Sequence, residues 1–276
     1  MPDFLKWTAY VIALILAAVA WRFVGWWAAL PVLLLSAWLL TELEKAMVTR
    51  TDPIPAAPDG VYRIACVGDS ITYGTFVDDR PDHCYPAVLQ TMVGQQVVVR
   101  NFGVPGATMS PIGDMPYRKY PAFRLATEFA PQVVILMLGT NDSKRQNWLG
   151  ETKFYQYAKA MVIHFMELPS KPTLFLATPP AAFLLPGKKK LNYGMQQKPM
   201  DDMAVEIRKL AAEFSLALID LRTLAADFPQ GFSFDGLHTN AAGAKFIAER
   251  MHEVVGPFVL RDQPKWQAAI TAKTKS

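Results

Sequence analysis

The sequence predicts a three-layer α/β/α sandwich around a five-stranded parallel sheet, on three observations. Apolar runs at 62–67, 97–101, 133–138, 173–178 and 216–219 are rich in Val, Ile and Leu and almost free of polar interruption, as strands buried on both faces require. Amphipathic stretches at 85–93, 154–167, 200–214 and 241–255 alternate with them, and strands interleaved with helices imply parallel pairing through right-handed crossovers. The residues able to do chemistry directly follow these strands or precede the last helix, and sites in such sheets gather at the carboxyl ends of the strands.

The chain has 276 residues, 51% hydrophobic and only 19% charged, and the apolar surplus lies at one end. Between Trp7 and Thr41 the only charge is Arg22, which leaves 15 uncharged residues before it and 19 after it. The second stretch is long enough to cross a bilayer as a helix and the first is short of the roughly 20 residues usually needed. Residues 1–45 therefore read as a membrane anchor of one or two transmembrane helices. In the favoured arrangement, a transmembrane helical hairpin, Trp21, Arg22, Trp26 and Trp27 form the turn with their indoles at headgroup level. In the other, the first stretch is signal-like or interfacial and only the second spans. Either way the protein is expected in the cell (inner) membrane, integral through its N-terminus, and the Lys/Arg count does not choose the side of the soluble domain. Pro53, Pro55 and Pro58 mark residues 46–60 as an extended linker.

Residues 61–260 then form the globular domain and 261–276 a basic tail with Arg261, Lys265, Lys273 and Lys275 against Asp262. That tail and the run Lys188-Lys189-Lys190 account for much of the net charge of +4. Neither has aromatic interleaving or a nucleic-acid-reading module, so they read as a frayed end and a solvated loop, and nucleic acid is not an expected partner. Cys66 and Cys84 are too few for a disulfide framework or a zinc site, and no His/Cys/Asp/Glu set has metal-ligand spacing. With no glycine-rich phosphate loop either, no metal and no cofactor are expected.

Gly68-Asp69-Ser70 follows the first predicted strand, Asn101-Phe102-Gly103 ends the second, Gly139-Thr140-Asn141-Asp142 follows the third, and Asp235-Gly236-Leu237-His238 precedes the last helix. A serine hydroxyl is a poor nucleophile without a base, and His238 is the histidine placed beside a carboxylate in a loop. The Asp235 to His238 spacing lets the carboxylate hold the imidazole Nδ1–H so that Nε2 faces Ser70. The amide of Ser70, the amide of Gly103 and the side-chain amide of Asn141 are the donors available to an oxyanion. Singly, each motif has a structural explanation: a tight turn, a strand end, or Asp235 capping Leu237 or His238. Four in order on one rim point to acyl transfer. Asn147 and Trp148, just after the Asn141 loop, are placed to line the substrate side, with a packing role as the alternative for Trp148. The stretch 181–198, with Pro186, Gly187 and three lysines, is long for a βα connection. It reads as a solvated loop, with a lid or a headgroup-binding element as alternatives, and near a bilayer its lysines would attract anionic lipid or an acidic glycan.

The blocks Gly68-Asp69-Ser70, Gly103, Gly139-x-Asn141-Asp142 and Asp235-x-x-His238 resemble those of the SGNH (GDSL-type) hydrolases, over about residues 61–255. The resemblance implies a flavodoxin-like α/β/α sandwich. It also implies Ser70 as nucleophile, His238 and Asp235 as its triad partners, and Ser70, Gly103 and Asn141 as the oxyanion hole. Asp79-Arg80, Tyr85-Pro86, the run from Asn101 to Thr108, and the run from Leu138 to Trp148 look like the bacterial sialate/xylan O-acetylesterase-like subgroup, with Arg145 where Pro is expected. The implied reaction is hydrolysis of a carboxylic ester, removing acetyl or another short acyl group from a glycan. A lysophospholipase or acyl-thioester hydrolase, an O-acyltransferase and a non-catalytic glycan-binding module are the alternatives.

Overall fold

Strands form where the apolar runs predict them: β1 (Tyr62–Gly68), β2 (Val97–Gly103), β3 (Val133–Met137), β4 (Thr173–Ala177) and β5 (Ala217–Ile219). All pairs are parallel and the order across the sheet is β2-β1-β3-β4-β5. Period-two alternation sends Ala65 and Val67 to one face of β1 and Tyr62, Ile64 and Cys66 to the other, each face into its own apolar core. This is the α/β sandwich with a five-stranded parallel sheet that the sequence predicts.

The computed structural model describes residues 60–274 together with Leu30, Pro31, Leu34 and Leu35. The chain divides into two compact units, Met1–Arg50 and Thr51–Ser276. In the first unit the four described residues are helical and exposed. Apart from those four residues, which fall in the second expected membrane span, both spans and the linker up to residue 59 lie outside the described residues; among those described, no helix is long and apolar enough to cross a membrane.

In the second unit the helices are α1 (Ser70–Tyr73), α2 (Arg80–His83), α3 (Tyr85–Val93), α4 (Pro121–Glu128), α5 (Glu151–Met166), α6 (Gln197–Glu213), α7 (Leu221–Leu224) and α8 (Ala241–Thr274). Helices α4, α5 and α6 cover one face through Ala122 and Ala126, Phe154 and Phe165, and Met203 and Leu210. Helices α3 and α8 cover the other through Tyr85 and Leu89, and Ile247, Met251 and Val255.

Two differences from the sequence reading stand out. Helix α4 was not anticipated, because its eight residues start at a proline inside a long loop. Helix α8 does not stop at Val255: it continues through Pro257 and Pro264 to Thr274, so residues 261–274 are helical rather than a frayed tail. Its extension is fastened to the start of β1. The Tyr62 hydroxyl donates to Asp262 Oδ2 at 2.7 Å, and the Tyr62 ring meets Trp266 edge-on at 5.6 Å. A hydrogen bond to a charged group contributes about 1.5–3 kcal/mol and an edge-on aromatic pair about 0.5–1.5 kcal/mol. Deleting residues 261–276 is therefore expected to destabilise the domain by about 2–4 kcal/mol; an unchanged melting temperature would show that this end is not part of the fold.

Candidate active site

Ser70 is the first residue of α1, directly beyond β1, and the turn that carries it depends on two glycines. Gly68 and Gly103 are cross-strand partners at the carboxyl ends of β1 and β2. A Cβ on Gly68 would run into Thr72 and the Met137 carbonyl, and one on Gly103 into the backbone of Tyr73. Without side chains there, α1 lies directly on the sheet ends. Asp69 closes the turn by accepting the Ile71 amide at 3.0 Å. Burial raises the Asp69 carboxyl above the ordinary range, with the Ile71 amide and the Thr140 hydroxyl acting the other way.

His238 arrives from the loop before α8. Its Nε2 lies 2.8 Å from Ser70 Oγ and its Nδ1 lies 2.6 Å from Asp235 Oδ2. With Nδ1–H donating to the carboxylate, Nε2 is the nitrogen left to accept the Ser70 hydroxyl proton. The other carboxylate oxygen, Asp235 Oδ1, accepts the amides of Leu237 and His238, each at 3.0 Å. The capping role and the imidazole-holding role are thus both performed by one carboxylate. Burial alone would raise Asp235, but the hydrogen bond and charge of His238 and the two amides hold it below the usual carboxylate range. Phe76 and Tyr193 stand edge-on to the imidazole at 5.2 and 5.6 Å, and Phe234 packs on Phe76 at 5.1 Å. All three aromatics are exposed, so they form an apolar rim around buried Ser70 and His238.

Asn141 sits in the 3₁₀ turn Thr140–Ser143 after β3, and its Nδ2 donates to the Ala107 carbonyl at 3.1 Å, leaving its second amide hydrogen free among the described residues. Gly103 departs from expectation. Its N–H belongs to the strand end and donates to Asn101 Oδ1 at 2.9 Å, so it does not face the site. Gly106, three residues further into the loop and at φ +81°, has an amide that no hydrogen bond among the described residues takes. It precedes the very carbonyl that holds Asn141. The signal was in the sequence: a second glycine, outside the strand register, in Asn101-Phe102-Gly103-Val104-Pro105-Gly106. The Ser70 amide, at the first helical position, is likewise free among the described residues.

Asn147 is also corrected. It is buried, and its Nδ2 donates to the Asn141 carbonyl at 2.9 Å and to Asp114 Oδ1 at 2.8 Å, while its Oδ1 accepts the Asp114 amide at 2.9 Å. A side chain so fully engaged braces the Asn141 turn and does not line a substrate path. Trp148 is half-buried against the core beside Phe154, a packing position.

Asp142, quoted in the motif without a role, joins the two loops that carry Gly106 and Asn141. Its Oδ2 accepts the Met109 amide at 2.7 Å and its Oδ1 the Ser110 amide at 2.8 Å. Burial pushes its carboxyl up to about 7, against the pull of those two amides.

A parallel α/β/α sandwich with a serine, a histidine and an aspartate hydrogen-bonded in series on its carboxyl rim has the make-up of a serine hydrolase. The chain belongs to the GDSL-like lipase/acylhydrolase family, whose sequence model matches residues 66–246. An acetylxylan esterase of Xylanibacter ruminicola is 35% identical over 214 residues, covering 71% of this chain and 43% of that one. The chain thus spans less than half the length of that relative. Among solved structures, the native aryl esterase of M. smegmatis is similar at a TM-score of 0.57 and 20% identity, over 70% of this chain and all of that one. Est24, a carbohydrate acetylesterase from Sinorhizobium meliloti, is similar at a TM-score of 0.56 and 17% identity, over 70% of this chain and 99% of that one. At these identities the likeness is one of fold.

The Asp142 clamp has a pH signature. Its carboxyl is raised from about 3.9 in the unfolded chain to about 7, so folding takes up a proton between those values. The stability this supplies is fully present below about pH 3.9 and is lost as pH rises through about 7. In thermal melts, the gap between wild type and Asp142→Asn is expected to narrow steadily from pH 4 to 8. A gap that widens would mean that the ionised carboxylate is the stabilising form.

Proposed function

We propose that the protein is a serine carboxylic-ester hydrolase that removes acetyl or other short acyl groups from carbohydrate, through an acyl-enzyme on Ser70. The observation that carries this reading is the unbroken hydrogen-bond series from Asp235 Oδ2 through His238 to Ser70 Oγ, at 2.6 and 2.8 Å. Ser70 Oγ attacks the ester carbonyl carbon while His238 Nε2 takes its proton. The resulting imidazolium is stabilised by Asp235, whose lowered carboxyl value keeps it ionised. The oxyanion is met by the amides of Ser70 and Gly106 and by the free hydrogen of Asn141 Nδ2. Collapse expels the sugar hydroxyl, which receives the proton from His238. Water, deprotonated by His238, then attacks the acyl carbonyl, releasing the carboxylic acid and restoring Ser70.

The carbohydrate and acetyl parts of the proposal rest on similarity to the acetylxylan esterase over 71% of this chain. Attachment to the cell membrane through residues 1–45 is part of the same proposal and rests on the composition of that segment, with the single charge of Arg22 between Trp7 and Thr41. Tethering would hold the esterase within reach of glycans at the membrane surface.

A fluorophosphonate probe is expected to label the wild type and not Ser70→Ala; a folded wild type that resists the probe would remove the nucleophile from the account. Asn141→Ala is expected to lower kcat by about 10²–10³ with the fold intact. Across a nitrophenyl ester series, kcat/KM should be highest at acetyl or propionyl, and a steady rise toward palmitoyl would reject the short-acyl reading.

A further inference from the structure

Beside the Ser70–His238 centre, the long connection between β4 and α6 lines a half-open, largely apolar cavity of about 880 Å³, within the range of small-ligand sites. Its lining includes Arg145, Lys189 and Lys190 together with the amide side chains of Gln196 and Gln197, and no carboxylate. None of the three cationic side chains has an ion pair or hydrogen bond among the described residues. Their neighbours differ: Lys144 is paired with Asp114 and Lys198 with Asp202. The three cations line one concavity and all are exposed, so water screens their mutual repulsion and an anionic ligand seated among them gains modestly from each pair.

The cavity is built onto the reaction centre. The Phe183 amide donates to the Gly236 carbonyl at 2.8 Å, and Asn192 Nδ2 donates to the Asp235 carbonyl at 2.8 Å. Gly236 has no room for a Cβ because the Phe183 carbonyl stands against it, so the two segments pack backbone to backbone. Tyr193 lies against the His238 ring, and Gln196 Nε2 donates to the Ser143 carbonyl at 3.0 Å, two residues from Asn141. The connection is therefore pinned at Phe183, Asn192 and Gln196 rather than hanging as a lid, while residues 186–190 between the pins are exposed, as the solvated-loop expectation has it.

We propose that this cavity is a subsite for an anionic sugar, so that the acetylated glycan is a polyanion carrying carboxylates such as uronic acids. The inference rests on the carbohydrate reading above and adds the charge of its substrate. The acetylated residue reaches Ser70 past the aromatic rim of Phe76, Phe234 and Tyr193. A neighbouring residue of the same chain places its carboxylate among Arg145, Lys189 and Lys190, and Gln196 and Gln197 serve its hydroxyls.

The test compares kcat/KM of the full-length protein on O-acetylated polygalacturonate, on acetylated uronate-free xylan and on p-nitrophenyl acetate, for wild type and for the triple variant Arg145→Gln, Lys189→Gln, Lys190→Gln. Wild type should prefer the acidic polymer by about tenfold, the size three exposed charge pairs together supply. The preference should vanish in the triple variant and shrink at high salt, while p-nitrophenyl acetate turnover stays unchanged. Equal rates on both polymers, unaltered in the variant, would overturn the inference and leave the carbohydrate reading standing. Cleavage of p-nitrophenyl acetate with no acetate released from either polymer would overturn both. A variant changed only in its binding to phosphatidylglycerol vesicles would assign the cations to a lipid surface and overturn the inference.

Discussion

One carboxylate organises the reaction centre. Asp235 accepts three donors: the His238 imidazole on Oδ2, and the Leu237 and His238 amides on Oδ1. The amide contacts shape the loop that carries the histidine, and the imidazole contact selects the nitrogen that faces Ser70. Loop geometry and tautomer are thereby coupled, and neither is set by His238 alone. The carboxylate is buried, and those donors outweigh the cost of burying it, which is why its carboxyl is held below the ordinary range.

The rest of the fold delivers the partners to that carboxylate. A parallel sheet turns every carboxyl end toward one rim, so Ser70 beyond β1, Gly106 beyond β2 and Asn141 beyond β3 meet there although they are far apart in the chain. Close approach comes from Gly68 and Gly103, whose missing side chains let the Ser70 turn rest on the sheet. Rigidity comes from buried polar groups. Asp142 ties the Met109–Ser110 backbone to the Asn141 turn, and Asn147 braces that turn from behind. On the proposed mechanism, these contacts fix the directions of the Gly106 and Asn141 donors before substrate arrives.

How much of this could be read from sequence follows from the physics of each part. The strands were legible because a parallel strand covered on both faces has an almost continuous apolar sequence. Ser70 and Asn141 were legible because they are polar residues directly beyond such strands, and Asp235 and His238 because their spacing in the loop before the last helix lets the carboxylate hold the imidazole. Gly103 misled because being the glycine nearest the strand end is not the same as having a free amide: the Asn101 side chain turns back and occupies it. Asn147 misled because a polar residue near a site can be wholly consumed in bracing it. The end of α8 was missed because Gly256-Pro257 is a normal stop signal, overridden here by Val259 in the core and by Asp262 and Trp266 on Tyr62. The basic run on the β4–α6 connection is exposed, as its composition suggests, but only tertiary structure shows that Arg145 lines the same cavity as Lys189 and Lys190.

A fold that concentrates catalytic groups on one rim leaves substrate choice to the loops beyond it, here an aromatic rim and a basic cavity fastened to the histidine loop. All of it presupposes that Ser70 carries the acyl group between two half-reactions. Acid-quenched turnover of p-nitrophenyl acetate, followed by peptide mass spectrometry, measures this directly. One acetyl group on the peptide containing Ser70 in the wild type, and none in His238→Ala, is the predicted result. Undiminished turnover with Ser70 unmodified, or an acetyl group found on another residue, would contradict the account.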